Sequence, residues 1–343
     1  MQELAIVILN WNGLHWLQQF LPAVVAHSSP HAVVVADNAS TDDSVAWVKQ
    51  YQPEVSIIQL DKNYGFAEGY NKAIQQIEST FVLLLNSDVE VTNHWVEPLL
   101  AAMRSNPNLA AVQPKIKAFH HKDSFEYAGA AGGFIDRLGY PFCRGRIFHQ
   151  VERDQLQYND STEVFWTSGA CMLVRTQAFS EQQGFHPGFF AHMEEIDLCW
   201  RWQHQGYSLA YCPDSVVYHV GGGTLNISPF KTYLNFRNGL WMLFRNLPPK
   251  GFVSNIFLRL CLDGLAGLQF LAKGQWKNTL AIIKAHGFMY RHLSVWLLER
   301  KQMAQKYPQR SHLTIYPGLL VLQAFIRGKT TFKALNWKRQ DYN

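Results

Sequence analysis

The chain has 343 residues, is 48% hydrophobic and only 17% charged, which allows a sizeable buried core and excludes a disordered or low-complexity protein. Its net charge of +5 hides a split: residues 231–343 hold 18 Lys and Arg against Asp263, Glu299 and Asp341, a balance of +15, while residues 1–230 hold 13 against 23 carboxylates, a balance of −10. That asymmetry implies an acidic catalytic part joined to a basic part that faces an anionic partner, either membrane or nucleic acid.

In chain order, the apolar run at 5–9 predicts a strand that stops at Asn10-Trp11-Asn12-Gly13. It is short and lacks a basic leader, so it does not read as an export signal. Helical periodicity follows at 15–26, then a strand at 32–36 that ends in the polar cluster Asp37-Asn38-Ala39-Ser40-Thr41-Asp42. Thr41 or Asp42 is placed to cap a helix running to Tyr51. A third strand is expected at 55–60, a helix at 68–77, and a continuous apolar strand at 81–85 that delivers Asn86-Ser87-Asp88. This alternation predicts an α/β fold with a mostly parallel sheet covered on both faces. In such sheets ligands bind beyond the carboxyl ends of the strands, where these polar clusters lie. Residues 114–165 are expected to form loops and short strands over the site, and 164–174 a buried strand pair interrupted at Ser168-Gly169. A helix begins near Met193, a strand covers 215–219, and helices follow from Phe230 onward. The cysteines Cys143, Cys171, Cys199, Cys212 and Cys261 contain no CxxC pair, which excludes a zinc knuckle or disulfide framework and fits a reducing cytoplasm.

Five places can carry chemistry. Asp88 ends a buried strand, and a hard divalent cation bridging diphosphate oxygens needs only one or two protein carboxylates; the competing role is a turn residue capping a helix that starts near Thr92. Asp37 can accept hydrogen bonds from a base or ribose, or form an Asx-turn. The stretch from Asn63 through Gly65 and Phe66 to Asn71 opens a helix with glycines that allow close approach of a phosphate or a ring, but glycine spacing alone is a weak signal and favours a packed loop-to-helix turn. In Glu194-Glu195-Ile196-Asp197, Asp197 is spaced to pair with Arg201, while an apolar, Phe-rich approach would desolvate Glu194 or Glu195 and raise its pKa as a general base requires. His219 ends a strand just before Gly221-Gly222-Gly223-Thr224, where it can ligate a metal or serve the fold.

Together, seven segments in order resemble the inverting family 2 glycosyltransferases of the GT-A fold, especially the bacterial rhamnosyltransferase-like members. They are Val7-Ile8-Leu9-Asn10-Trp11-Asn12-Gly13, Asp37–Asp42 as quoted, Asn63-Tyr64-Gly65-Phe66-Ala67, Leu84-Leu85-Asn86-Ser87-Asp88, Ser168-Gly169-Ala170-Cys171-Met172, Glu194-Glu195-Ile196-Asp197-Leu198 and Tyr218-His219-Val220-Gly221-Gly222-Gly223. The resemblance implies that Asp37 holds the nucleotide base, with Leu9, Asn10 and Asn12 lining its pocket and Asn63, Gly65, Phe66, Asn71 and Asn86 near the donor. It implies that Asp88 and His219 ligate Mg2+ or Mn2+ on the diphosphate, and that Trp166, Ser168 and Gly169 lie near the acceptor. Glu195 falls at the base position, usually Asp in the family, and Glu194 is hard to separate from it. The metal motif, usually Asp-x-Asp, reads Asn86-Ser87-Asp88 and retains one carboxylate.

The expected architecture is a catalytic GT-A domain over 1–240 and a basic helical tail over 241–343. The expected reaction moves a sugar from a nucleoside diphosphate to a saccharide or lipid-linked acceptor with inversion, in cell-surface polysaccharide synthesis. The run at 253–272 contains Arg259, Asp263 and Gln269, so the tail reads as amphipathic helices on the inner, anionic face of the cell membrane, or as a solvated helical subdomain. A sugar-phosphate nucleotidyltransferase would be expected to carry a basic Gly-rich loop after the first strand, and Asn10-Trp11-Asn12-Gly13 has no basic residue. A nucleic-acid binder would explain the tail, but no helix-turn-helix, zinc or RNA-recognition signature is present.

Overall fold

Strand β1 (Gln2–Asn10) shows how the pattern of side chains builds the core: Leu4, Ile6 and Ile8 face one side of the sheet, Val7 the other. The computed structural model of the chain describes residues 2–221, 228–307 and 314–337. Gly222, Gly223 and Thr224, which belong to the expected glycine loop, lie outside the described residues.

The first part alternates as expected: α1 (Leu14–Ser28), β2 (Ala32–Asp37), α2 (Ser44–Tyr51), β3 (Ser56–Gln59), α3 (Gly65–Ile74) and β4 (Ser79–Asn86). Next come β5 (Val89–Val91), α4 (Glu97–Ser105) and β6 (Leu109–Ala118). The irregular middle contributes β7 (Gly133–Asp136), β8 (Pro141–Cys143), β9 (Arg146–Ile147), β10 (Gln150–Val151) and β11 (Thr162–Glu163), followed by β12 (Cys171–Arg175) and α5 (Thr176–Glu181). Then come α6 (Glu194–His204), β13 (Ser208–His219), and the helices α7 (Pro229–Asn246), α8 (Phe252–Ala272), α9 (Trp276–Arg291) and α10 (Leu293–Lys306), with a last strand β14 (Ile315–Tyr316).

Among the described residues the main sheet runs β11-β13-β6-β12-β4-β1-β2-β3, with β5 paired to β13. β1 is parallel to β2 and β4, β2 to β3 and β13 to β6, whereas β12 is antiparallel to both β4 and β6. The parallel strands β1, β2, β4 and β13 therefore end on one edge, carrying Asn10, Asp37, Asn86 and His219. One face packs on α1, α2 and α4 through Leu17, Leu21, Val48 and Leu99; the other packs on α3, α6 and α7 through Ala67, Tyr70, Trp200 and Leu240.

Three expectations need correction. Only the second half of 164–174 is a strand; Trp166 makes an isolated bridge to Gly133 and the chain then turns through Ser168 and Gly169. Asp88 does not cap a helix near Thr92, because the chain there enters β5, which pairs with β13. The 240/241 boundary falls inside α7, and the end of the chain returns to the first part: β14 pairs in parallel with β7, and the Leu320 amide donates to the Asp136 carboxylate (2.8 Å).

Candidate active site

The edge where the parallel strands end collects two polar clusters. In the first, Asn10 Nδ2 donates to Asp37 Oδ1 (3.2 Å) and to Ser40 Oγ (3.1 Å), and the Ser40 amide donates to Asp37 Oδ2 (3.0 Å). The Asn12 amide donates to Ser40 Oγ (2.9 Å) and Asn12 Oδ1 accepts from the Thr41 amide (2.7 Å), so the loops after β1 and β2 form one unit. Asp37 thus makes the expected turn and is 2% exposed, while Asn10 Oδ1 is buried without a partner. Asp42 accepts from the amides of Leu14 and Ser44, serving the starts of both α1 and α2.

Asn38 joins this unit to the glycine stretch. Its Nδ2 donates to Asn63 Oδ1 (3.1 Å) and to the Gly65 carbonyl (2.9 Å), and its Oδ1 accepts from the Tyr64 amide. Gly65 has φ +73, and a Cβ there would meet the Phe190 ring at 2.5 Å. The Phe190 carbonyl accepts from the amides of Phe66 and Ala67, filling the start of α3 where an anion would otherwise sit. The packed turn is therefore the role observed for this stretch. Asn71 is similarly engaged, bonding both the amide and the carbonyl of Phe185 (2.9 and 2.8 Å). Leu9 is partly buried at the end of β1.

The second cluster forms where β5, which follows β4 after Ser87 and Asp88, pairs with the end of β13. His219 Nε2 lies 3.2 Å from Asp88 Oδ1 and 3.5 Å from Asn86 Nδ2. On the other side of the ring, Nδ1 lies 3.4 Å from Glu126 Oε2, an ion-pair distance without hydrogen-bond alignment. Burial opposes charge on His219, yet Glu126 and Asp88 outweigh it and push the imidazole up to about 10. Burial also works against the Asp88 charge, but the hydrogen bond and charge of His219 hold its carboxyl below the usual range. Gly221, at φ +68, leaves room for Glu126, whose Oε1 would lie 2.7 Å from a Cβ there.

Ser168 and Gly169 lie beside this cluster. The Ala170 carbonyl accepts from the Asn86 amide (2.9 Å), Gln113 Oε1 accepts from the Ser168 amide (2.9 Å), and Gly169 lies against the Phe66 ring. Trp166 is 3% exposed and its Nε1 donates to the Phe134 carbonyl (2.9 Å), so its polar atom serves the fold.

Glu194 and Glu195 open α6 after a loop in which Phe190, His192 and Met193 all have positive φ (64, 69 and 72). Three non-glycine residues in that region store strain, which the surroundings must hold in place. Asn238 and Arg237 of α7 do so: Asn238 Nδ2 lies 3.0, 2.9 and 2.7 Å from the carbonyls of Phe189, Ala191 and His192, and Arg237 Nη2 donates to Gly188 and Phe189. Desolvation raises both carboxyls. Glu194 stands well above the usual range, with the adjacent Glu195 charge adding to the effect, and Glu195 is pushed up to about 7. Each leaves its Oε2 buried without a hydrogen-bond partner. Two such groups side by side titrate as a pair, and burial strengthens the pair's hold on its proton.

Asp197 takes the structural role expected. It is fully buried, receives Arg201 Nε (2.8 Å), Arg245 Nε (3.1 Å) and Asn246 Nδ2 (2.8 Å), and so ties α6 to α7.

The sequence reading missed Glu126, Arg237 and Asn238. Nothing in their local pattern marks them, since each acts on a residue far away in the chain. Replacing Asn238 by Ala strands up to three loop carbonyls and is expected to cost about 1–3 kcal/mol of stability, read as a lower urea midpoint.

Residues 5–182 match Glycosyl transferase family 2. Over 235 residues the chain is 28% identical to the N-acetylglucosaminyl-diphospho-decaprenol L-rhamnosyltransferase of Mycobacterium tuberculosis, covering 63% of this chain and 75% of that protein. It is 24% identical over 262 residues to rhamnosyltransferase WbbL of Escherichia coli, covering 73% of this chain and 94% of that one. Among solved structures, the mannosyltransferase PcManGT of Pyrobaculum calidifontis, in complex with GDP-Man and Mn2+, shares the fold with a TM-score of 0.51 at 11% identity, over 90% of this chain and 88% of that one. The GT-A sheet with C-terminal helices expected from the sequence is the architecture observed.

Proposed function

The chain belongs to glycosyl transferase family 2 and is an enzyme that transfers a sugar from a nucleotide sugar; from that premise we propose that it moves a deoxyhexosyl group to a lipid-linked saccharide with inversion. The observation that carries this reading is the 3.2 Å approach of Asp88 and His219, 131 residues apart in sequence, at the strand edge that also bears Asp37. The relatives named rhamnosyltransferases support nucleoside-diphosphate-L-rhamnose as the donor, and the decaprenol-linked acceptor in one of those names supports a lipid-linked acceptor. A lipid-linked acceptor would be met at the inner face of the cell membrane, which is the location this reading proposes, in cell-surface polysaccharide synthesis.

Asp88 and His219 fit a divalent cation. They would hold it through Asp88 Oδ1 and His219 Nε2, 3.2 Å apart, once the imidazole gives up the proton that pairs it with the carboxylate. Among the described residues no group of three or more His, Cys, Asp or Glu is arranged to hold a metal ion; a hard cation that also takes phosphate and water needs only one or two protein carboxylates. Bound Mg2+ or Mn2+ would offset charge on the departing diphosphate. Glu126 lies on the far side of the imidazole, 3.4 Å from Nδ1, and adds negative charge beside it.

In the proposed reaction Glu195 takes the proton of an acceptor hydroxyl as that oxygen bonds to the anomeric carbon. The bond from that carbon to the diphosphate breaks in the same step, and the nucleoside diphosphate leaves with the electron pair. One displacement inverts the anomeric centre. Asn10, Asn12 and Asp37 hold the nucleoside, and Ser168 and Gly169 border the acceptor.

Release of nucleoside diphosphate in the presence of acceptor tests the scheme. Chelator is expected to stop turnover and added Mn2+ or Mg2+ to restore it, while Asp88→Asn lowers kcat/KM by about 100- to 1,000-fold. Undiminished turnover in excess chelator would remove the metal role. Pyrophosphate production from a sugar phosphate and a nucleoside triphosphate would indicate a nucleotidyltransferase instead.

A further inference from the structure

Helix α8 is built inside out. Its two charged residues, Arg259 and Asp263, are 4% and 0% exposed. Arg259 Nε donates to Asp263 (2.8 Å) and its Nη1 to the Leu138 carbonyl (2.9 Å), and the guanidinium stacks on Tyr140. His286 of α9 closes the group, its Nε2 3.3 Å from Asp263. Outward, at helical spacing, stand Val253, Phe257, Cys261, Leu265 and Leu268, all exposed, with Phe257 at 69%. Water selects the reverse arrangement, with polar groups outside and apolar ones inside. The neighbouring α9 extends the apolar surface with Trp276, Ile283 and Tyr290.

The charges around this surface identify what covers it. Lys250, Lys273, Lys277, Lys284 and Arg291 are exposed, and Asp263, already buried and paired, is the one carboxylate between residues 241 and 298. Across a two-fold axis a second copy would bring the same cations face to face with no carboxylate to neutralise them. An anionic lipid surface offers an apolar interior to the stripe and phosphates to the lysines, with Trp276 and Tyr290 suited to the headgroup level. α8 is long and apolar enough to cross a membrane by length and composition. However, its buried pair is bonded to Leu138 and Tyr140 of the catalytic part, which a spanning helix would have to abandon.

We propose that the outward faces of α8 and α9 form a docking surface that lies flat on an anionic lipid leaflet. This deepens the reading of a lipid-linked acceptor and rests on it only for its purpose. Flotation of the full chain with phosphatidylcholine vesicles, with and without phosphatidylglycerol, tests it in the absence of donor and acceptor. The chain is expected to float with the anionic vesicles, less so with neutral ones or at high salt. A Phe257→Ser, Leu268→Ser double variant is expected to lose at least about tenfold in partitioning while its thermal unfolding is unchanged. Absence from the anionic vesicles, or flotation that survives the double variant, would overturn the proposal. So would a dimer in light scattering that the same variant dissolves, or resistance of bound protein to alkaline carbonate. A chain that floats as expected yet transfers no sugar would sink the catalytic reading alone.

Discussion

Glu195→Gln is expected to lower kcat by about 100- to 10,000-fold while nucleoside diphosphate still binds, because the amide cannot accept the acceptor proton. Burial raises both carboxyls at the start of α6, Glu195 to about 7, and the proposed proton transfer needs Glu195 ionised. The wild-type rate should therefore rise with pH through about 7 and level off above it. The same shift has a cost in stability. A carboxyl whose folded value stands above its unfolded 4.5 binds its proton more tightly when folded, so the stability it contributes is full below that unfolded value and is lost as pH rises through about 7. Gln mimics the neutral form, so the inactive variant should melt at or above the wild type at about pH 8. Wild-type turnover in Glu195→Gln, with loss in Glu194→Gln, would move the proton acceptor to Glu194.

Two residues further along, the expected loss is of the fold. Asp197→Ala leaves Arg201 and Arg245 buried beside each other without their shared carboxylate, and removal of one partner from such a group costs about 3–5 kcal/mol. Burial opposes the Asp197 charge, but the two guanidinium groups hold its carboxyl far below the usual range. Its contribution is therefore present above the unfolded carboxylate value and lost as pH falls toward the folded one. A urea titration at neutral pH reads the effect directly, and a midpoint unchanged from wild type would count against this assignment. The contrast with Glu195→Gln separates the two ends of one acidic motif, one proposed to transfer a proton and the other holding α6 to α7.

Much of this was open to a reader of the sequence because strands and strand ends are local. A run such as Phe-Val-Leu-Leu-Leu followed by Asn-Ser-Asp states both the buried strand and the place where it stops, and parallel pairing carries every such stop to the same edge. Local pattern failed where a partner came from elsewhere. Glycine spacing favoured a packed turn at Gly65 but did not name its partner, which is Phe190 at the helix start. Trp166 read as half of a strand pair near the acceptor, yet its indole nitrogen is taken by Phe134. The Asn86-Ser87-Asp88 motif showed one carboxylate, and Glu126, which adds negative charge beside the histidine, is 38 residues further along the chain.

By itself, the sequence determined the order of elements, the loops that carry polar groups and the family to which they belong, since these follow from periodicity and composition within short windows. Tertiary structure alone decided that Asp88 meets His219, that Glu194 and Glu195 are buried side by side, and that α8 turns its charges inward. Each of those outcomes depends on distance and desolvation between groups remote in the chain, and neither quantity exists until the sheet and helices have packed.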